Sequence, residues 1–437
     1  MTAPTAHRGE ILHFLDDPGA APGDGGDGRD SAYQHFPDGA LVVADGRVAA
    51  CGPAVDVLPK FPNARVEQHR DGLLVPGFID AHIHFPQVEV IAAYGAQLLD
   101  WLTRHTYPAE ARFADPAHAA AAAEFFLDEL LGNGSTTALV FGSAHAQSVD
   151  ALFAAAEARN LRLIVGKAMM DRNAPATVRD TAESSYADSR ALLEKWHGRG
   201  RLGYAVTPRF APTSTEAQLQ LAGRLLAENP GAHLQTHIAE HKNECAWVAA
   251  LFPDCADYLD VYDRHGLLGR RAVLAHGIHL NAREWNRIAA SESNLAFCPT
   301  SNLFMGSGLF DLQRADAHGV RIGFGSDVGG GDSFSLLRVI NEAYKVEQLQ
   351  GRNLHPLRAL YLATLGGARA LDLHEVIGNF EVGKEADFIK LNPRATPLIA
   401  HRLDACRTLE ERLFALLMLA DDRAIAGVWI MGERWTR

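Results

Sequence analysis

Two textures of hydrophobic and polar positions divide the chain. Residues 1–72 read as short strands, and within them Ala40–Gly52 holds two apolar runs joined by Asp45-Gly46, a pair that favours a tight β-hairpin. From about Leu73 onward, apolar runs alternate with amphipathic stretches. The apolar runs predict strands at Leu73–Phe85, Thr136–Phe141, Arg162–Met170, Leu202–Arg209, His233–Ala239, Ala272–Gly277, Leu295–Pro299 and Val320–Ser326. Helical periodicity falls between or after them, over Ala117–Leu131, Thr215–Glu228, Ala246–Phe252 and Phe334–Gln350. Eight strand-plus-helix units predict an α/β fold, a (β/α)8 TIM barrel, with a doubly wound parallel sheet as the competing architecture. After a helix over Leu357–Ala370, strand texture returns at Glu385–Leu391 and Ala424–Met431. The expected organisation is a barrel over residues 73–370 and a small β domain built from both chain ends, residues 1–72 and 371–437.

Composition narrows the function classes. The 437 residues are 47% hydrophobic and 22% charged, as in an ordinary folded protein, and suit a barrel of about 250 residues plus one smaller unit. A net charge of −12 argues against nucleic-acid backbone as a partner, because that binding needs a basic face. Five cysteines without a C-x-x-C point to a reducing cytoplasm rather than a disulfide framework. The opening MTAPTAHRGEILHF lacks the apolar core of a secretory signal, so none is expected. Leu413–Ala420 is far short of the ~20 apolar residues that span a membrane. A Gly/Asp/Pro-rich loop at 18–30 contains Gly23-x-Gly25-x-x-Gly28, a dinucleotide fingerprint in letters alone. No helix follows it, and Asp24 and Asp27 would repel a pyrophosphate.

The twenty histidines are the unusual count. At that frequency about one His-x-His arises by chance, so His82-x-His84 means little without its setting. That setting is the C-terminal end of the first barrel strand, where residues two apart point the same way and barrel active sites lie. His237, His276 and Asp327 close three further predicted strands, and Glu240 follows His237 by three residues. Three imidazoles and one carboxylate make an N3O set that leaves a position for water, the mark of a catalytic zinc site. Zinc lowers the pKa of its water to about 7, and Glu240 is then placed to move protons. The bland alternatives are core histidines, and for Glu240 a helix-start carboxylate favoured by the dipole. A sharper rival is His237-Ile-Ala-Glu240-His241, which matches the H-x-x-E-H of a zinc protease but leaves His82, His84 and Asp327 unexplained. The H-x-E…P-C-x-x-C, P-loop and G-x-S-x-G signatures are all absent.

This set resembles the amidohydrolase superfamily and, within it, the guanine deaminases. The resemblance runs from Pro76 to about Leu337 and is carried by PGFIDAHIHFPQ, TPRF, QTHIAE, AHGIHL, CPTSNLFMGSGLFD and GFGSDVGGGDSFSLL. It implies one zinc ion per chain held by His82, His84, His237 and Asp327, with His276 near the metal and Glu240 and Asp327 shuttling protons. It implies a guanine site in which Arg209 and Gln87 read the O6 and N1 edge, Phe210 packs on the ring, and His237, Glu240 and Asp327 face the substrate. The side chains suit those roles, since Arg offers a planar fork to a carbonyl oxygen and Gln both donates and accepts. A surface ion pair for Arg209 and a core position for Phe210 are the alternatives. Binuclear relatives carry a lysine on the fourth strand, but LGYAVTPRF has none and Lys167 lies on the third, which favours one metal. The expected function is hydrolysis of guanine to xanthine and ammonia in purine catabolism, by a cytoplasmic homodimer acting on a small molecule. Another aminated heterocycle (8-oxoguanine, a pterin or a triazine) is the nearest alternative substrate, and a non-catalytic barrel scaffold is the alternative of another class.

Overall fold

The computed structural model describes residues 3–19, 31–94 and 97–437. The Gly23-x-Gly25-x-x-Gly28 segment lies outside the described residues. The chain opens with β1 (Thr5–Phe14), β2 (Tyr33–Ala44), β3 (Arg47–Pro53) and β4 (Arg65–Pro76). β2 and β3 form the expected hairpin, with Ala44 opposite Arg47 and left-handed φ of 49° at Asp45 and 79° at Gly46. β1 pairs antiparallel with β2 and parallel with β4.

Next come β5 (Phe78–His84), β6 (Ser135–Phe141), β7 (Arg162–Gly166), β8 (Ala168–Met169), β9 (Gly203–Pro208), β10 (His233–Ile238), β11 (Ala272–His276), β12 (Asn294–Phe297) and β13 (Ile322–Phe324). They run in the order β5-β6-β7-β9-β10-β11-β12-β13, with β8 pairing β9. β5 and β6 are buried at every residue, as expected for a parallel sheet covered on both faces. The path closes on itself just past β13, where Asp327 N–H donates to His82 O and His84 N–H to Val328 O, each at 2.9 Å. That closure makes a barrel and sets aside the open doubly wound sheet.

The apolar run Leu73–Phe85, expected as one strand, is two. It breaks at Gly77, where an added Cβ would lie 2.0 Å from Thr136 Oγ1, so only glycine fits. Leu73–Pro76 belongs to β4 and Phe78–His84 opens the barrel. The helix expected over Ala246–Phe252 starts earlier, at Lys242, because His241 and Glu244 form a capping box at its N-terminus.

The chain ends with β14 (Phe388–Leu391), β15 (Ile425–Ile430) and β16 (Glu433–Arg434). Together with β1–β4 they form a seven-stranded sheet in the order β16-β15-β14-β4-β1-β2-β3, so both chain ends contribute. Its core includes Ile11, Leu41, Leu74, Phe380 and Phe388, and Phe388 stacks on Trp429 with ring centres 4.7 Å apart. Two compact units emerge, residues 1–79 with 129–136 and 335–437, and residues 80–128 with 137–334. Among the described residues, no helix is long and apolar enough to cross a membrane.

Candidate active site

The C-terminal ends of the barrel strands bring the expected side chains together. His82 and His84 stand two apart on β5, His237 is on β10, His276 ends β11, and Asp327 lies just past β13. His276 and Asp327 leave their strands through left-handed φ of 73° and 49°, as does Ala239 before Glu240 at 46°. Non-glycine residues hold such angles only where their surroundings enforce them, and here they turn side chains into the barrel mouth. Donor atoms of His82, His84, His237 and Asp327 all lie within 4.8 Å of one another. Asp327 Oδ1 is 3.1 Å from His82 Nε2 and 3.3 Å from His84 Nε2, and His84 Nε2 is 3.1 Å from His237 Nε2.

These residues fit a divalent metal. His237 Nδ1 donates to Arg209 O at 2.6 Å, which leaves the Nε2 lone pair facing the cluster. His82 Nε2 is buried near Asp327 without forming a hydrogen bond, which a shared cation would satisfy. Burial first, and then the neighbouring imidazoles, hold His237 well below its ordinary pKa. Burial likewise takes His84 down to about 4. Neutral imidazole is the metal-binding form. Burial alone would raise Asp327, but His82, His84 and His276 outweigh it and hold the carboxyl well below its usual range.

His276 plays a different part. Asn302 Nδ2 donates to its Nδ1 at 2.9 Å, which puts the proton on Nε2. That nitrogen lies 3.5 Å from Glu240 Oε2 and 3.8 Å from Asp327 Oδ2. Glu240 is buried and accepts from Ser307 Oγ at 3.1 Å. Burial, then the charges of Asp327 and Glu244, push its carboxyl well above the usual range. A carboxylate so perturbed beside a polar cluster is suited to proton transfer.

Gln87, Arg209 and Phe210 line the same cavity as His84, His237, Glu240, His276 and Asp327. Arg209 is buried, with Nη1 at 2.9 and 2.8 Å from the two oxygens of Glu110, and its guanidinium sits 5.5 Å from the Tyr107 ring centre. The Gln87 amide nitrogen lies 3.0 Å from both Glu110 Oε1 and His84 Nδ1. Leu98, Trp101 and Met305 add apolar wall.

Sequence reasoning missed the supports behind these groups. Glu110 is fully buried and fixes both substrate-facing candidates, yet in sequence it is one more carboxylate on a helix. Asp80 accepts the His82 and Ser326 N–H groups at 3.1 Å each and the Ser326 hydroxyl at 2.5 Å, which ties β5 to the segment carrying Asp327. Glu244 accepts the N–H groups of Glu240 and His241 at 2.9 and 3.0 Å and the Tyr258 hydroxyl at 2.6 Å. Tyr262, one turn further along its helix, donates to His237 O at 2.8 Å. The H-x-x-E-H reading fails because His237 lies on a strand while His241 caps the next helix, accepting from Asn243 N–H at 3.2 Å. Lys167 is buried and paired with Asp180 at 2.5 Å.

Residues 73–434 match the amidohydrolase family. The chain is 51% identical to the guanine deaminase of Escherichia coli (strain K12) over 404 residues, 92% of each chain. It is 44% identical to a probable guanine deaminase of Deinococcus radiodurans over 434 residues, 98% of this chain and 97% of that one. The crystal structure of guanine deaminase from Bradyrhizobium japonicum superposes with a TM-score of 0.96 at 39% identity, covering 100% of both chains.

Proposed function

The chain belongs to the amidohydrolase family, and we propose that it hydrolyses guanine to xanthine and ammonia at the barrel mouth with one zinc ion held by His82, His84, His237 and Asp327. The observation that carries this reading is the convergence of those four donors in the cavity that Gln87, Arg209 and Phe210 also line. When bound, the metal supplies a water that ionises near neutral pH. Glu240, high in pKa and 3.5 Å from His276, takes a proton from the attacking water and passes it to ring nitrogen N3. The water oxygen forms its bond to C2, the C2–amine bond breaks, and the amine leaves as ammonia with a proton delivered by Glu240 or Asp327. The His276 Nε2–H is a fixed donor that steadies charge developing at that carbon's oxygen.

Arg209 and Gln87 orient the base through its O6 and N1 edge, and Glu110 holds both in place. Phe210 offers the ring an apolar face. A small β domain of residues 1–72 and 371–437, a barrel of residues 73–370, a homodimeric assembly and a cytoplasmic location belong to the same proposal. Ammonia release measured on guanine, 8-oxoguanine, a pterin and a triazine tests it. Guanine should be turned over with the highest kcat/KM, and a preference for any other base would overturn the substrate assignment.

A further inference from the structure

The seven-stranded sheet carries a second group of metal-competent side chains that guanine turnover does not use. β1 and β4 run parallel with His7 opposite Glu67 and Gly9 opposite His69. Residues two apart on a strand share a face, so His7, Glu67 and His69 project together. Gly9 leaves room for His69, because a Cβ there would sit 3.0 Å from the His69 Cβ and 2.9 Å from its carbonyl oxygen. His7 Nδ1 lies 3.1 Å from His69 Nε2 and 3.4 Å from Glu67 Oε2.

Those separations are close to the 3.1 to 3.3 Å of three donor pairs at the barrel mouth. A tetrahedral ion with bonds of about 2.0–2.2 Å sets its donors roughly 3.3–3.6 Å apart, so these pairs need to move only a few tenths of an ångström apart to seat an ion. The orientation of His7 is suitable too. Its Nε2 is buried without a hydrogen-bond partner, and the ring is edge-on to Phe388 and Trp429 at 4.8 and 5.8 Å between ring centres. Its other ring nitrogen, Nδ1, is the one that faces both His69 and Glu67.

We propose that His7 Nδ1, His69 Nε2 and Glu67 Oε2 form a second site for a divalent transition-metal ion, with water completing its coordination. Two imidazoles and one carboxylate suit zinc. His7 and His69 are buried, while Glu67 is 30% exposed and gives the ion and its water a way in. Arg65 pairs with the other Glu67 oxygen, Oε1, at 2.5 Å and leaves Oε2 available. Lys390 and Arg434 also act on His69, and these surface charges make the site weaker than the four-donor cluster. An ion here would tie β1 to β4.

Equilibrium dialysis of the zinc-loaded enzyme against added zinc tests the site. The protein with one equivalent already bound should take up a second, more readily exchanged one, and its thermal midpoint should rise with added zinc. His69→Ala and Glu67→Gln should each lose the second equivalent and the zinc-dependent rise, while keeping the first equivalent and guanine turnover. Glu67→Gln changes a partly exposed side chain, so it remains informative if His69→Ala folds poorly. Failure of the parent protein to bind a second equivalent at millimolar zinc would overturn the proposal. Retention of that equivalent by both variants would do the same, whatever the substrate of the barrel site.

Discussion

Glu244 Oε2 accepts the backbone N–H of Glu240 at 2.9 Å, so the proposed proton carrier is held by a second buried carboxylate. Tyr258 donates to the other oxygen of Glu244 at 2.6 Å, and Tyr262 four residues later holds the His237 carbonyl. One short helix thus steadies both a proposed zinc ligand and the proposed proton carrier.

Tyr258→Phe should therefore lower kcat on guanine by about tenfold or more while leaving zinc content and KM near the parent values. The hydrogen bond it removes, to a buried carboxylate, is worth about 1.5–3 kcal/mol, and each 1.4 kcal/mol is tenfold in rate. A variant with unchanged kcat would show that Glu240 is positioned without Tyr258.

Arg209→Ala should abolish most guanine turnover and leave zinc bound. It should also destabilise the fold by about 3–5 kcal/mol, because Glu110 would remain as an unpaired buried charge. Adding Glu110→Gln should restore most of the stability in urea unfolding but not the turnover. If the double variant recovers activity, Arg209 is a structural partner of Glu110 and not a reader of guanine.

Burial pushes His13 down to about 4, while an unfolded histidine titrates near 6.5. Between those values the unfolded chain binds more protons, so this group costs stability as pH falls from 6.5 towards 4, about 2 kcal/mol between pH 7 and pH 5. Urea midpoints measured at both pH values should show a smaller difference for His13→Leu than for the parent. An unchanged difference would contradict a neutral buried His13.

The residues of the candidate site that sit at the barrel mouth were legible because their signal is local. Each of His82, His84, His237, His276 and Asp327 ends or closely follows an apolar run, and barrel topology gathers such ends at one face. Glu110 was not legible, because its meaning lies in Arg209, 99 residues away. Glu244 and Tyr258 were hidden for a related reason. A capping box led by histidine lacks the usual Ser, Thr, Asp or Asn signal, and Tyr258 reads as ordinary core. The break at Gly77 was invisible because apolar periodicity continues across a change of sheet, and what demands glycine is Thr136 on a distant strand.

After dialysis into metal-free buffer, the parent protein should retain about one zinc per chain, and His82→Ala or Asp327→Ala should each lose most of it. Elemental analysis reads this directly. Full retention in a His82→Ala, His84→Ala double variant would contradict the four-donor assignment.

Glu240 is proposed to move the protons at a zinc site it does not help to build, and ammonia release by Glu240→Gln reads that role. Glutamine keeps the size of the side chain and can still accept from Ser307, but it cannot take a proton from water. The variant should bind zinc and guanine much as the parent does, and its ammonia release should fall by at least the roughly 10²–10⁴-fold typical of general acid–base groups. Near-normal ammonia release from a zinc-loaded Glu240→Gln enzyme would show that another group carries the protons.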